Sequence, residues 1–235
     1  MLPGIAGIMA GIGESVFSVQ FLGYTEIETS GLTTYTFLAE DFGVPSSTRE
    51  IFVTINVAAG VVTRSVSSAT IGGIAATIRS QAGVSDLVDQ SITSGIISAV
   101  VPSGTSGTIA VTLTGTGNMC VIGVYRVTRR TSLVDTGTDT YSGGNPIVVT
   151  DTVNVGDNGA VIAAATFGDQ NGSITWVGVT ETYDDTESGG SAPEQSRYSG
   201  ALITGLATEV GRTISATQSS ASPPNGAAMA IVSIN

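Results

Sequence analysis

Residues 101–127, VPSGTSGTIAVTLTGTGNMCVIGVYRV, hold two apolar runs separated by turn residues, and their reading decides the fold. The runs GTIAVTLT (107–114) and CVIGVYRV (120–127) are rich in β-branched residues. Such residues lose side-chain freedom in a helix and pack well on a pleated surface. Ile109, Val111 and Leu113 recur at every second position, which puts them on one face of a strand. Val100, from the preceding run GIISAVV (95–101), is expected to join that face, with Gly104 and Gly107 letting the chain reverse.

The same signal recurs along the chain. VFSVQFL (16–22), TTYTFL (33–38) and REIFVTINV (49–57) alternate apolar and polar residues, as half-buried strands do. SATIGGIAATI (68–78) is two short runs about Gly72-Gly73, a tight hairpin signal. NPIVVTDTV (145–153), AVIAAATF (160–167), SITWVGVT (173–180), ALITGL (201–206), RTISAT (212–217) and AAMAIVSI (227–234) complete the set. A helical turn is expected only at SQAGVSDLVDQ (80–90). Many short strands with turns between them predict an all-β chain folded as an antiparallel β-sandwich, with a jelly-roll-like order among the arrangements that fit. One domain is expected over residues 15–235, preceded by an extended apolar arm over residues 1–14. A sub-boundary is placed near 129–146, where RRTSLVDTGTDTYSGGNP is polar and long for a connection.

Composition narrows the chemistry. The 235 residues include no His and no Lys, and eight Arg stand against 19 acidic residues, a net charge of −11. Without His the usual general base and pH switch near neutrality are missing. A sparse Arg set in an acidic chain argues against a phosphate-neutralising nucleic-acid surface. Cys120 is the single cysteine and lies in the apolar run MCVIGV, which predicts a buried thiol rather than a nucleophile. Activation of a Ser or Thr hydroxyl lacks its His, and no G-x-S-x-G elbow occurs. The expectation is therefore no enzymatic activity.

Acidic and aromatic residues supply the remaining candidates. Asp135 and Asp139 lie four apart, and YDDTES brings Asp184 and Asp185 together. Loop carboxylates are the usual donors to hard cations, so Asp184 and Asp185 are the better pair for calcium, against the plainer reading of a solvated acidic loop. Otherwise no cofactor is expected. Tyr141, Tyr183 and Tyr198 fall in or beside polar segments, where exposed rings would suit contacts with glycans or proteins. Tyr183 and Tyr198 are the candidates for host glycan, with ordinary anchoring of loops as the alternative. Trp176, at mid-strand, is expected in the core, with a carbohydrate-binding platform as the alternative.

The opening LPGIAGIMAGIG is apolar yet too Gly-rich for a stable helix or strand of its own. Leu2, Pro3, Ile5, Ile8, Met9 and Ile12 are the candidate partner-binding residues of an assembly arm. A frayed tail and a segment folded on its own domain are the alternatives. Its apolar stretch is too short to span a bilayer, and no basic residue precedes Arg49, so neither membrane insertion nor a secretory signal is expected.

The order TTYTFLAEDFGVPSSTREIFVTINV, SVSSATIGGIAATI, VPSGTSGTIAVTLTGTGNMCVIGVYRVT and NGSITWVGVTETYDD resembles a group of small all-β virion proteins of tailed bacteriophages. The resemblance covers roughly residues 15–185, rests on turn-and-strand pattern, and carries over no active site. It implies a structural component of a phage particle, assembled in the host cytoplasm and located in the virion. The component would be a capsid decoration protein, a head spike, or part of the tail or its tip. Implied partners are other virion proteins and further copies of the chain, a trimer being favoured. Nucleic acid and membrane are not expected partners. A lectin-like carbohydrate-binding module acting in host adhesion is the alternative reading.

Overall fold

A computed structural model describes residues 16–85, 90–143, 145–169, 171–186, 196–219 and 225–235. The candidate arm residues Leu2, Pro3, Ile5, Ile8, Met9 and Ile12 lie outside them. The first half of the chain supplies β1 (Ser18–Ile27), β2 (Leu32–Asp41), β3 (Arg49–Ala59), β4 (Val66–Ile71), β5 (Ile74–Ala75), β6 (Thr77–Ser85), β7 (Ser91–Val100), β8 (Ser106–Gly117) and β9 (Met119–Thr128). The second supplies β10 (Leu133–Gly143), β11 (Ile147–Val155), β12 (Gly159–Phe167), β13 (Ile174–Val177), β14 (Thr180–Thr186), β15 (Arg197–Leu206), β16 (Glu209–Gln218) and β17 (Asn225–Ile234). All strand pairings are antiparallel.

These strands build four layers. An inner sheet β1-β9-β3-β7-β6 packs on an outer sheet β2-β8-β4-β5, and a second inner sheet β10-β17-β12-β15-β14 packs on an outer sheet β11-β16-β13. Tyr35, Phe37, Ile51, Val53, Ile109 and Val111 fill the first sandwich. Val149, Val161, Phe167, Ile214, Met229 and Ile231 fill the second. The inner sheets then pack on each other through Phe52, Ile96, Tyr125, Ile162, Ala230 and Val232. One sandwich was expected over residues 15–235. Two are found, joined at residues 129–132, just where the polar stretch begins.

The reason lies in the central strands. Along β3, Ile51, Val53, Ile55 and Val57 face the first sandwich core, while Phe52, Thr54 and Asn56 face the second inner sheet. All eleven residues of β3 are buried, and β9 and β12 are buried throughout as well. Each fully buried Val, Ile or Phe contributes about 1.5–3 kcal/mol relative to exposure. An exposed pair such as Arg212–Glu209 contributes at most about 1 kcal/mol. Apolar burial in three layers, not surface charge, therefore holds the stack together, and an 11% charged composition suffices.

The two sandwiches share one topology. Replacing β1, β9, β3, β7 and β6 by β10, β17, β12, β15 and β14 converts one inner sheet into the other. Replacing β2, β8 and β4 by β11, β16 and β13 does the same for the outer sheets, and β5 has no counterpart. Register agrees with this duplication: Val53 pairs with Ile97 and Val124, and Ala163 pairs with Ala201 and Ile231. The core-facing residues Ile51, Val53, Ile55 and Val57 thus correspond to Val161, Ala163, Ala165 and Phe167.

Several local expectations are corrected. Residues 80–85, expected in a helical turn, belong to β6, where Gly83 lets the strand lie against the Thr93 side chain. Val100 is 55% exposed, and Val101 is the buried neighbour of Ile109 and Leu113. Gly104 turns the chain with φ +75°, whereas Gly107 is required by contact: a Cβ there would meet the Phe42 ring at 2.6 Å. Gly72 and Gly73, both with positive φ, form the expected hairpin between β4 and β5.

The edge between β10 and β11 is closed by carboxylates. Asp135 accepts from the Asn154 N–H at 2.8 Å, Asp139 from that of Thr150 at 2.7 Å, and Asp151 from that of Thr138 at 2.8 Å. Each also accepts the N–H of the residue following it. Asp151 lies over Gly137, where a Cβ would meet its Oδ2 at 2.8 Å. The spacing of Asp135 and Asp139 thus reflects strands bridged by side chains, and their edge N–H groups are occupied.

Candidate functional site at the seam between the sandwiches

The residues singled out from the sequence converge on one region, where β1 of the first inner sheet meets β14 and β15 of the second. Tyr183 and Tyr198, expected as exposed glycan contacts, are 4% and 0% exposed. Both are strand residues whose rings fill the gap between the inner sheets, which corrects the reading of them as loop aromatics. The Tyr183 ring fits between two glycines. A Cβ at Gly123 would meet it at 2.5 Å and one at Gly200 at 2.2 Å. Its hydroxyl donates to Asn56 Oδ1 at 2.8 Å and lies 2.9 Å from Thr54 Oγ1.

Two β-bulges gather the aromatic rings. In a regular strand Phe21 and Tyr24 would face opposite sides, but register slips between Phe21 and Gly23. Phe21 and Tyr24 therefore both stack on Tyr183, with centroids 5.9 and 5.0 Å away and ring planes 19° and 12° apart. The second bulge, between Glu181 and Tyr183, lies in β14. Tyr125 joins the group 5.1 Å from Phe21, and its hydroxyl lies 2.8 Å from Thr182 Oγ1.

Polar ties run across the same seam. Asn56 donates to the Ala165 carbonyl and to Thr166 Oγ1, both at 2.9 Å. With the bond from Tyr183, Asn56 uses its oxygen and both amide protons inside a buried interface, so its burial carries no orphan. Ser94 donates to the Ala228 carbonyl at 2.8 Å, and Ser80 to the Gly137 carbonyl at 2.9 Å. Tyr198 donates to Glu26. Burial pushes the hydroxyls of Tyr125, Tyr183 and Tyr198 and the Cys120 thiol well above their ordinary ranges. Cys120 is fully buried, as its apolar run predicts. Trp176 lies partly buried against the second core and donates from Nε1 to Ser199 Oγ at 2.8 Å.

Asp184 and Asp185 do not converge. Adjacent residues of a strand point to opposite faces. Asp184 takes Arg197 on both oxygens, Nε at 2.7 Å and a terminal nitrogen at 2.5 Å, a fork that holds the β14–β15 hairpin. Asp185 accepts from the Tyr24 hydroxyl at 2.8 Å and from the Thr186 N–H at 2.8 Å. Each carboxylate of the pair offered for calcium thus has its own protein donors, on opposite faces of β14.

Tyr24, which the sequence reading passed over, is the part of this cluster that reaches solvent, with 41% of its surface exposed. The bulge beside it opens a pocket lined also by Thr25, Glu40 and Asp41, and burial raises the Glu40 carboxyl above the ordinary carboxylate range. Gly23, which interrupts the alternation in VQFLGYTEI, was the signal available for this bulge. The seam thus presents one aromatic face beside several carboxylates, on a backing of buried rings. Compared with family models, with curated proteins and with solved structures, the chain matches none. Among the described residues, no helix is long and apolar enough to cross a membrane.

Proposed function

We propose that the chain is a structural component of a bacteriophage virion, an accessory protein on the capsid surface or in the tail, and not an enzyme. The observation that carries this reading is where the conspicuous side chains are spent. Tyr183, Tyr198 and Asn56 tie sheet to sheet, Asp184 and Arg197 tie hairpin strands, and Asp135, Asp139 and Asp151 seal an edge. A block built this way keeps its shape while neighbours dock on it. The alternation of early and late strands in each sheet supports a jelly-roll order for each sandwich. The outward rows Thr34–Thr112–Ser68 and Thr36–Ala110–Thr70 give the first outer sheet an uncharged face suited to contacts with other virion proteins or further copies. Labelling the protein in intact particles and imaging them tests the proposal. Regular density on the capsid or tail supports it, and protein recovered only free of particles overturns it. Deletion of residues 2–13 tests the arm: particle occupancy falls if the arm docks and stays unchanged if it does not.

Tyr24 favours a second reading, adhesion to host glycan. An aromatic face backed by Tyr183 and flanked by Asp185 can take the C–H face of a sugar while carboxylates accept its hydroxyls. Tyr24, rather than the buried Tyr183 and Tyr198, is then the contact residue. A glycan array probed with wild type and Tyr24→Ala tests this reading. Signal lost in the variant supports it, and no signal from wild type ends it.

A further inference from the structure

Gly23 of β1 and Gly137 of β10 occupy corresponding positions in the two sandwiches. Gly23 pairs with Val124 and Val124 with Val53, while Gly137 pairs with Ile231 and Ile231 with Ala163. Their surroundings differ. At Gly137 the outer strand β11 closes in, and a Cβ would meet Asp151 Oδ2 at 2.8 Å; at Gly23 a Cβ would meet nothing within 4 Å. The edge of the second sandwich is sealed by Asp135, Asp139 and Asp151. The matching edge of the first holds a cavity of about 180 Å³ between β1 and β2.

Bulges in both strands open this cavity. Register slips in β1 between Phe21 and Gly23, and in β2 between Phe37 and Glu40, where Ala39 takes φ +59°. A positive φ costs a non-glycine residue about 1 kcal/mol or more, and bulges end pairing or re-aim side chains. Leu22 and Val124 give the cavity apolar surface, and Thr25, Glu40 and Asp41 give it polar groups. Thr25 Oγ1 donates to Glu40 Oε2 at 3.1 Å. Leu38 and Val44, on either side of the acidic pair in sequence, are 73% and 70% exposed. Both β1 and β2 are edge strands among the described residues, so each turns one row of backbone N–H and C=O groups out of its sheet. An open edge with apolar side chains about it is a template for one more strand.

We propose that this cleft receives residues 2–13 of a neighbouring copy as an added strand. The inference rests on reading those residues as an assembly arm, and it names where the arm docks. Residues 1–15 lie outside the described residues and lead into β1; fully extended they span about 50 Å, enough to cross from one copy to the next. In a strand Ile8, Ala10 and Ile12 share one face, which suits a narrow cleft floored by Leu22 and Val124. The arm holds no acidic residue before Glu14, so it brings no like charge to Glu40 and Asp41. Its glycines lose much freedom on ordering, and ladder hydrogen bonds with apolar burial offset that cost only on docking.

The test is disulfide trapping, for which the chain is suited because its one cysteine, Cys120, is buried. Ile8→Cys and Thr25→Cys are made as separate full-length variants, mixed and mildly oxidised, so that a bond between the two positions forms only across copies. Thr152→Cys, exposed on the sealed edge of the second sandwich, replaces Thr25→Cys in the control. The heterodimer with Thr25→Cys is expected to exceed the control several-fold, and excess wild-type chain is expected to suppress it. Equal yields overturn the proposal. So does a double variant, Ile8→Cys with Thr25→Cys, that closes its bond within one chain at every protein concentration, because the arm then covers its own edge. Sedimentation gives a second measurement: wild-type average mass is expected to rise with concentration, and Ile8→Asp to hold it at the monomer. Wild type that stays monomeric, or association unchanged in Ile8→Asp, overturns the docking site. Both measurements use purified protein, so their failure leaves the virion reading to the imaging of particles.

Discussion

Asn56 and Thr166 occupy corresponding positions in the central strands of the two sandwiches, and they are hydrogen-bonded to each other at 2.9 Å. A contact between equivalent positions is what a two-fold relation between like units produces at its axis. The seam therefore has the character of a dimer interface enclosed within one chain. It is not symmetric in detail. β6 and β7 approach β10 and β17 closely through small side chains, while the β1–β15 side is held apart by rings. The polar and aromatic residues concentrate on that second side.

Replacing Asn56 removes three bonds at once. Asn56→Ala is expected to lower stability by about 2–4 kcal/mol, because the Tyr183 hydroxyl and Thr166 lose partners inside the interface. Urea unfolding measures this. A double-mutant cycle with Tyr183→Phe should show coupling between the two changes, and strict additivity would contradict a shared network.

Gly200 and Gly123 are read as the slot for Tyr183. Gly200→Ala is expected to destabilise by about 2 kcal/mol or more, since the ring would have to move from an otherwise filled interface. Combining it with Tyr183→Leu should cost less than the sum of the single changes. Thermal unfolding of the three variants decides this.

These residues mark how far the sequence could be read. The strands were legible because Val, Ile and Thr alternate through most of them, and the Gly72-Gly73 hairpin stood where its glycines put it. The second burial of β3 was hidden. Thr54 and Asn56 alternate with apolar residues as solvent-facing residues would, and only the opposite sheet shows that they face Tyr183 and Ala165. The duplication left no period in the sequence because β5 has no counterpart and the cores differ, Val53 against Ala163. Tyr183 was placed in a loop because TETYDDT carries the polar composition of a loop while forming an edge strand, and Tyr198 because it directly follows the polar run 181–197. The segment holding the candidate site was thus visible, and the burial of its rings was not.

The Asp-bridged edge makes a prediction about solubility as well as stability. Asp139→Ala and Asp151→Ala should each cost about 1–2 kcal/mol and leave edge N–H groups without their acceptor. Light scattering during incubation below the melting temperature should rise faster than for wild type. Unchanged melting and scattering would contradict the bridging role.

Alkaline pH should unfold the protein steeply. The buried Tyr125 and Tyr183 hydroxyls start from an ordinary value of 10.0 and the Cys120 thiol from 9.0, and burial raises all three in the folded state. Above those values the unfolded chain releases protons that the folded chain retains, so stability falls as pH rises. It is fully present below about pH 9. Each group contributes a loss of about 1.4 kcal/mol per pH unit. Tyrosinate absorbance should rise together with loss of the β-sheet signal above pH 10. Titration of Tyr125 and Tyr183 alongside the exposed Tyr24, without unfolding, would contradict their burial.

The central claim is that two like sandwiches fold as one body through a continuous buried interface. Differential scanning calorimetry of the full chain tests this most directly. The account predicts a single transition whose calorimetric and van't Hoff enthalpies agree. Two separable transitions, one for each sandwich, would contradict it.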